Sequence, residues 1–316
     1  MGKNFSKNSK NINCKNNWYG LKILIKNFVS VTPFYNKLFA SVIKKIFGKN
    51  SYKLRRLPIK NLIVDLKVNE LNIYLNNPVN DHIAKEIWWC NSQRYPLYEH
   101  KALEIFALLA RFSDCVLDIG CNNGIFSIIA AKSNPKTTVY AFDILPVALE
   151  LINQNIITNN VADIVSSRLL GISDLNDNII MPFEDYNSSI PTSYSTNFKF
   201  DRGINVKLIT LDNLSSIFNF KEMKNFLVKI DVEGTEDNIF KSGVEFLLTK
   251  KPIILCEILN RSNSKFINKL LNKLSFKFYL IKNNGLEEKK EIKPDKFYRD
   301  WLFVHKDYEI EKLLNI

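Results

Sequence analysis

From Pro96 onward the chain alternates between two apolar spacings. EHKALEIFALLARF repeats its apolar residues at helical intervals and leads into the continuous apolar run CVLDI. GIFSIIAAKS, TTVYAFD, PVALELINQNIITNN and IVSSRLLGI then follow as helix, strand, helix and strand. After an interruption the alternation resumes with NFLVKID, the helix TEDNIFKSGVEFLLTKK, the strand PIILCEI and the helix SKFINKLLNKL. Short buried strands separated by helices predict a doubly wound, mostly parallel α/β sheet with helices on both faces. FKFYLIK and DWLFVHK have no helix of sufficient length between them, so they are predicted to pair antiparallel as a closing hairpin.

The pattern also divides the chain. Residues 1–17 are rich in Lys, Asn and Ser with little to bury, which predicts a disordered basic tail. Over 18–58 bulky apolar residues alternate with lysines, predicting a basic amphipathic helical extension interrupted near Pro33. Residues 59–95 read as a strand pair and a short helix with Asp81 as its N-cap, leading into a main domain over 96–316. The interruption from Ser173 to Asn205 is polar and longer than an ordinary connection. It is predicted to be a binding loop, with Tyr186, Tyr194 and Phe198 shaping an acceptor pocket.

The net charge of +12 belongs to the first part of the chain. Residues 1–60 hold 14 Lys and Arg and no Asp or Glu, leaving 30 basic and 32 acidic residues beyond them. A near-neutral main domain argues against a broad nucleic-acid face there. The basic segment 1–58 is instead a candidate for peripheral contact with an anionic membrane. MGKNFSK also fits the pattern for myristoylation at Gly2. No apolar run is long enough to span a bilayer and no secretory signal is recognisable, so a cytoplasmic location is expected. The five cysteines form no C-x-x-C pair and predict neither a disulfide framework nor a structural metal. The oligomeric state is left open.

VLDIGCNNG, Val116–Gly124, carries the first chemistry. A dinucleotide fingerprint would place a second glycine where Asn122 stands, which disfavours a pyrophosphate and an NAD-linked oxidoreductase. The remaining acidic-x-Gly-x-x-x-Gly pattern suits a phosphate-free adenosine cofactor, S-adenosyl-L-methionine. Its glycines permit a tight turn, and the following helix N-terminus offers N–H groups to a carboxylate. Asp143, about twenty positions on at the end of the second strand, is placed to accept ribose hydroxyls. In FLVKIDVEGTEDNIF, Asp231 and Glu233 fall at or just past the end of the fourth strand, facing the same cleft. Carboxylates there could bind a hydroxylated acceptor or accept its proton. The two could also hold a divalent ion, but the sequence offers no third ligand, so no metal is predicted. Lys229 is expected to pair with a neighbouring carboxylate. The same residues also suit plain structure: a buried strand and turn, Asp143 capping the helix at Pro146, and Asp231 and Glu233 at the positive end of a helix. A non-catalytic scaffold of this fold therefore stays open.

VLDIGCNNGIFSIIAA, VYAFDILP, GISD, LITLDNL, VKIDVEGTEDNIFKSG and KPIILCEI, in that order, resemble the FkbM family of S-adenosylmethionine-dependent methyltransferases. The resemblance extends from about Glu99 to Val304. It implies a seven-stranded, Rossmann-like class I methyltransferase sheet and methyl transfer to oxygen, on a small-molecule or glycan hydroxyl. It makes Asp118, Gly120, Cys121, Asn122, Asn123 and Gly124 the loop at the methionine end of the cofactor. Asp143 becomes the ribose ligand, with Ile144 beside it, and Gly171, Ile172 and Ser173 the adenine contact. Asp231 and Glu233 would border the methyl group, Asp231 as base and Glu233 as acceptor ligand. The chain departs from the family at Cys121, where alanine is usual, and at Asp143-Ile144, where Glu-Pro is usual. Residues 1 to about 58 have no counterpart.

Overall fold

A computed structural model describes residues 63–78, 80–182 and 200–314, together with 41, 42, 44–48, 51, 59, 196 and 197. The expected disordered tail, most of the 18–58 extension, and Tyr186, Tyr194 and Phe198 lie outside the described residues.

The described chain opens with a hairpin, β1 (Val64–Val68) and β2 (Leu71–Leu75), and the helix α1 (His82–Trp89). Asp81 caps α1 as expected, its Oδ1 accepting from the Ile83 amide at 2.8 Å. The core then runs α2 (Leu97–Ala110), β3 (Cys115–Ile119), α3 (Ile125–Ser133), β4 (Thr138–Asp143), α4 (Pro146–Thr158) and β5 (Val165–Leu169). A short β6 (Gly171–Ile172) follows, with β7 (Asn178–Met181), β8 (Ile204–Ile209), β9 (Phe226–Ile230), α5 (Glu236–Lys241) and α6 (Val244–Lys250). The chain ends with β10 (Ile253–Glu257), α7 (Ser264–Lys273), β11 (Phe276–Lys282), β12 (Gly285–Lys289), β13 (Asp300–His305) and α8 (Ile310–Leu314).

The main sheet has the order β12-β11-β13-β10-β9-β3-β4-β5. Strands β5, β4, β3, β9 and β10 are mutually parallel, and β13 is inserted antiparallel between β10 and β11. Strand order therefore reverses between β3 and β9, and ligands of such sheets bind beyond the carboxyl ends at that point. One apolar cluster joins α2, α3 and the β1–β2 hairpin to one face of the sheet. A second covers the other face beneath α5, α6 and α7.

The structure departs from the sequence pattern in four places. The sheet has eight strands, because β12 forms a true hairpin with β11 across Asn283-Asn284; its charged residues Glu287, Glu288 and Lys289 suit an edge but hide the strand pattern. IVSSRLLGI is divided: Leu170 donates to the Asp143 carbonyl, and Gly171 and Ile172 leave for a separate sheet beside β8. Part of the polar Ser173–Asn205 segment is strand, β7, paired antiparallel with β8. The helix expected over 235–251 is broken at Ser242–Gly243, where Asp212 reaches in from elsewhere and accepts from the amides of Glu245 (3.3 Å) and Phe246 (2.7 Å). A carboxylate capping from a distant segment restarts the helix there, and no local pattern announces it.

The N-terminal hairpin is held by polar contacts as well as apolar ones. Asn155 on α4 and Asn159, the C-cap one turn on, serve the open edge of β2 and the turn after it. Asn159 Oδ1 accepts from the Tyr74 amide (2.9 Å) and its Nδ2 donates to the Tyr74 carbonyl (2.6 Å). Asn155 Oδ1 accepts from the Asn76 amide (2.7 Å), and its Nδ2 donates to the Asn123 carbonyl (2.9 Å). Before the hairpin, Lys44 Nζ donates to the Trp88 carbonyl at 2.5 Å and Ser51 Oγ to the Trp89 carbonyl at 2.6 Å, and buried Ile59 packs on Trp89. No helix among the described residues is long and apolar enough to cross a membrane.

Asn155→Ala strands the Asn76 amide and the buried Asn123 carbonyl together. It is expected to lower stability by about 2–4 kcal/mol, read as a fall in urea midpoint at unchanged m; a loss within experimental error would contradict this account.

Candidate active site

The carboxyl ends of β3, β4 and β9 converge on a cavity of about 390 Å³, within the size range of small-ligand sites. Of the residues singled out in the sequence, Gly120, Asn122, Asp143, Ile144, Gly171, Ile172, Asp231 and Glu233 line it. Asp118, Cys121, Asn123, Gly124 and Ser173 stand behind that lining.

Gly120 is the crossing point. Its φ is +80°, and a Cβ there would lie 1.8 Å from the Asp231 carbonyl oxygen. The Asp231 amide in turn donates to the Ile119 carbonyl at 2.9 Å, so the loops after β3 and β9 are clamped together. At Gly124, φ +76°, a Cβ would strike Ile152 of α4. Both glycines thus serve chain-to-chain approach. Asn122 adopts φ +47°, a conformation asparagine tolerates better than most residues.

The loop's backbone donors are mostly engaged. The Gly120 and Cys121 amides donate to the Phe142 carbonyl, Asn122 to Asp143 Oδ2 at 2.8 Å, and Ile125 to the Asn123 side chain. The row of free amides expected at the start of α3 is therefore largely spent on the protein itself, because β4 ends beside the loop and takes those donors. Asn123 is fully buried, and its Nδ2 donates to Asp81 Oδ2, which ties the loop to α1.

The fit to the cofactor rests on Asp118 and Asp143. Asp118 Oδ2 accepts from Ser127 N and Oγ, while Oδ1 is buried with no hydrogen-bond partner among the described residues. Burial pushes its carboxyl up to about 6. The orphaned Oδ1 lies behind the glycine loop, so an ammonium donor such as that of S-adenosylmethionine would reach it through a bridging water or a shift of the loop. Asp143 takes one backbone N–H on each oxygen, from Asn122 and Leu145, and keeps lone pairs for two ribose hydroxyls. The shorter aspartate is thus fixed by the loop beside it. Gly171 abuts Ile144, where a Cβ would lie 2.9 Å from Ile144 Cγ2, so the two line one apolar stretch of wall.

The opposite wall is rich in carboxylates. Lys229 Nζ donates to Asp231 Oδ2 at 3.3 Å, the pairing expected of it, although it also lines the cavity. Burial alone would lower the Lys229 ammonium, but Asp231, Asp300 and Glu257 outweigh this and hold it up. Glu233, at φ +57°, pairs with Arg261 across the turn. Glu257, the last residue of β10, stands beside Asp231; burial and the charges of Asp231 and Asp300 push its carboxyl up. Its glutamate ends KPIILCE, yet nothing local told that it meets Asp231: only the β9–β10 pairing does so. Sequence reasoning also missed the wall supplied by α1 and α2. Arg94 bridges Glu86 at 2.6 Å and Glu99, all three facing the cavity.

The sheet order and the loop at its switch point define a class I methyltransferase fold. The methyltransferase FkbM domain model matches residues 118–278, and the chain belongs to that family of S-adenosylmethionine-dependent methyltransferases. Among curated proteins it is similar to a ribosomal protein L11 methyltransferase of Ruminiclostridium cellulolyticum, 50% identical over 60 residues, which are 19% of this chain and 19% of that protein. Among solved structures it is similar to a methyltransferase FkbM from Methylobacillus flagellatus, with 12% identity, a TM-score of 0.40, and 85% of this chain and 60% of that chain covered. An O-methyltransferase from Thermotoga maritima has 12% identity and a TM-score of 0.36, with 66% of each chain covered.

Burial outweighs the Arg94 guanidinium at Glu99 and pushes its carboxyl from the ordinary 4.5 up to about 7. The folded chain therefore holds this proton more tightly than the unfolded chain. The stability it contributes is full below 4.5 and is lost as pH rises through about 7. Asp118 and Asp300, each pushed up to about 6, act in the same direction. Thermal midpoints measured across this range should fall with rising pH, and less steeply in Glu99→Gln; equal slopes in both proteins would refute the assignment.

Proposed function

We propose that the chain transfers the methyl group of S-adenosyl-L-methionine to a hydroxyl oxygen of a sugar, glycan or natural-product acceptor. One observation carries this reading: Asp143 and Asp231 open into the same cavity from either side of Gly120. On this reading a ribose ligand and the Lys229-paired carboxylate of Asp231 flank the point where a cofactor's methyl end would meet an acceptor.

On this reading Asp118 and the loop from Gly120 to Gly124 hold the amino-acid end of the cofactor. Asp143 holds the ribose, Ile144 packs beside it, and Gly171, Ile172 and Ser173 border the adenine. When bound, S-adenosylmethionine supplies an electrophilic methyl group on a positively charged sulfur. Asp231 accepts the proton of the acceptor hydroxyl, with the Lys229 ammonium orienting its carboxylate. Glu233 accepts a hydrogen bond from the acceptor. Most of the acceleration is then orientation of the hydroxyl oxygen, with general-base catalysis adding to it.

The wall chemistry bears on the acceptor class. Glu86, Glu99, Asp231, Glu233, Glu257 and Asp300 face the cavity against Arg94, Lys229 and Arg299. A neutral polyol finds a row of hydrogen-bonding groups there.

Calorimetry with S-adenosylmethionine and with NAD separates this reading from a scaffold, which would bind neither, and from an oxidoreductase, which would bind NAD. Asp143→Ala is expected to weaken S-adenosylmethionine binding about 10- to 100-fold. Asp231→Asn should bind it within about twofold of the parent yet lose about 100-fold or more in kcat with labelled cofactor and a hydroxylated acceptor. Full activity in Asp231→Asn would remove it as the base.

A second reading concerns the basic segment 1–58, which we propose touches an anionic membrane surface. Val42, Ile46 and Phe47 are exposed on a helical stretch that also carries Lys44 and Lys45. The full chain should float with anionic liposomes more than a form starting at Lys60; equal flotation would end this proposal.

A further inference from the structure

The carboxylates beside the proposed acceptor position are spaced for a ligand of their own. Asp231 follows the end of β9, Glu233 lies two residues on, and Glu257 ends β10. One carboxylate oxygen from each lies within 4.8 Å of the others. Oxygens bound to one hard cation at about 2.0–2.6 Å lie at most about 4–5 Å apart, so small side-chain adjustments bring these three within reach of a single ion.

Asp300 adds an independent observation. It is 8% exposed and lines the same cavity, and its carboxylate has no hydrogen-bond or ion-pair partner among the described residues. It is the cross-strand partner of Glu257 in the β10–β13 register, so both side chains project from the same face of the sheet. A buried carboxylate without a hydrogen-bonding protein donor, opposite Glu257 and close enough to feel the Asp231 charge, is suited to a donor or a cation from outside the chain.

The protein's own cations do not fill that need. The Lys229 ammonium acts on Asp231, Asp300 and Glu257 together but bonds only Asp231, and Arg94 pairs with Glu86 and Glu99, so neither donates to the Asp300 carboxylate. Arg299 is 3.8 Å from Glu257, and Arg261 pairs with Glu233, but both side chains are 52% exposed. Such pairs contribute little and yield readily to a stronger ligand.

We propose that Asp231, Glu233 and Glu257 bind one hard divalent cation of the magnesium or manganese kind, with Asp300 as a further ligand, direct or through water. All-oxygen donors select such ions over zinc or copper. At this place the ion would attract an acceptor hydroxyl and make it more acidic. That consequence rests on the methyl-transfer reading; the ion's binding does not.

The test uses the full chain, stripped with EDTA and titrated with Mn²⁺. Free ion is followed by electron paramagnetic resonance and bound ion by calorimetry, and S-adenosylmethionine is titrated separately on the same samples. One saturable Mn²⁺ site is expected, weakened about tenfold or more in Glu257→Gln and measurably in Asp300→Asn. S-adenosylmethionine affinity should stay within about twofold in both variants. No saturable uptake by the parent chain, or parent-like uptake by a folded Glu257→Gln, overturns the proposal. If Glu257→Gln fails to fold by circular dichroism, the parent titration and Asp300→Asn decide. Mn²⁺ binding without S-adenosylmethionine binding would leave the cation site standing and defeat the methyl-transfer reading instead.

Discussion

The contact between Gly120 and the Asp231 backbone is the constraint on which the site depends. A single added carbon would lie 1.8 Å from the Asp231 carbonyl oxygen, so the loops after β3 and β9 can meet only because residue 120 has no side chain. That approach sets the cofactor loop and the KIDVEG segment side by side at the strand-order reversal. Asp143 then closes the arrangement from β4 by accepting the Asn122 amide. Three strand ends are thereby fixed to one another before any ligand arrives, which is the preorganisation a group-transfer site requires.

A second layer of organisation is electrostatic. The cavity gathers more carboxylates than cations, and burial raises the proton affinity of Asp118, Asp143, Glu99, Glu257 and Asp300. A fold tolerates that cost where bound molecules bring compensating donors or positive charge. Hydroxylated or positively charged ligands meet this description. The N-terminal elements take part, since α1 and the segment after it contribute Glu86 and Arg94, and Asp81 ties α1 to the cofactor loop through Asn123.

Much of the fold was legible because it is written in local periodicity. The strands CVLDI, TTVYAFD, NFLVKID and PIILCEI are short apolar runs bounded by turns, and all four lie side by side in the central sheet. What escaped had non-local causes. The helix over 235–251 breaks where Asp212 caps its second half. IVSSRLLGI divides because Gly171 and Ile172 find β8 as a partner. β12 is charged, as an edge strand can afford to be, and so leaves no apolar trace.

By itself the sequence determined the α/β class, because apolar period is a property of a continuous stretch of chain, and its KIDVEG segment and accompanying motifs carried the resemblance to the family. It also placed Asp143 and Asp231 at strand ends, where side chains reach a ligand. Tertiary structure alone decided that Glu257 and Asp300 join Asp231 and Glu233, and that Arg94, Glu86 and Glu99 wall the same cavity. Those groups are brought together by strand pairing and helix docking across long stretches of chain. Neighbourhood of that kind is a property of the folded register, and no local pattern encodes it.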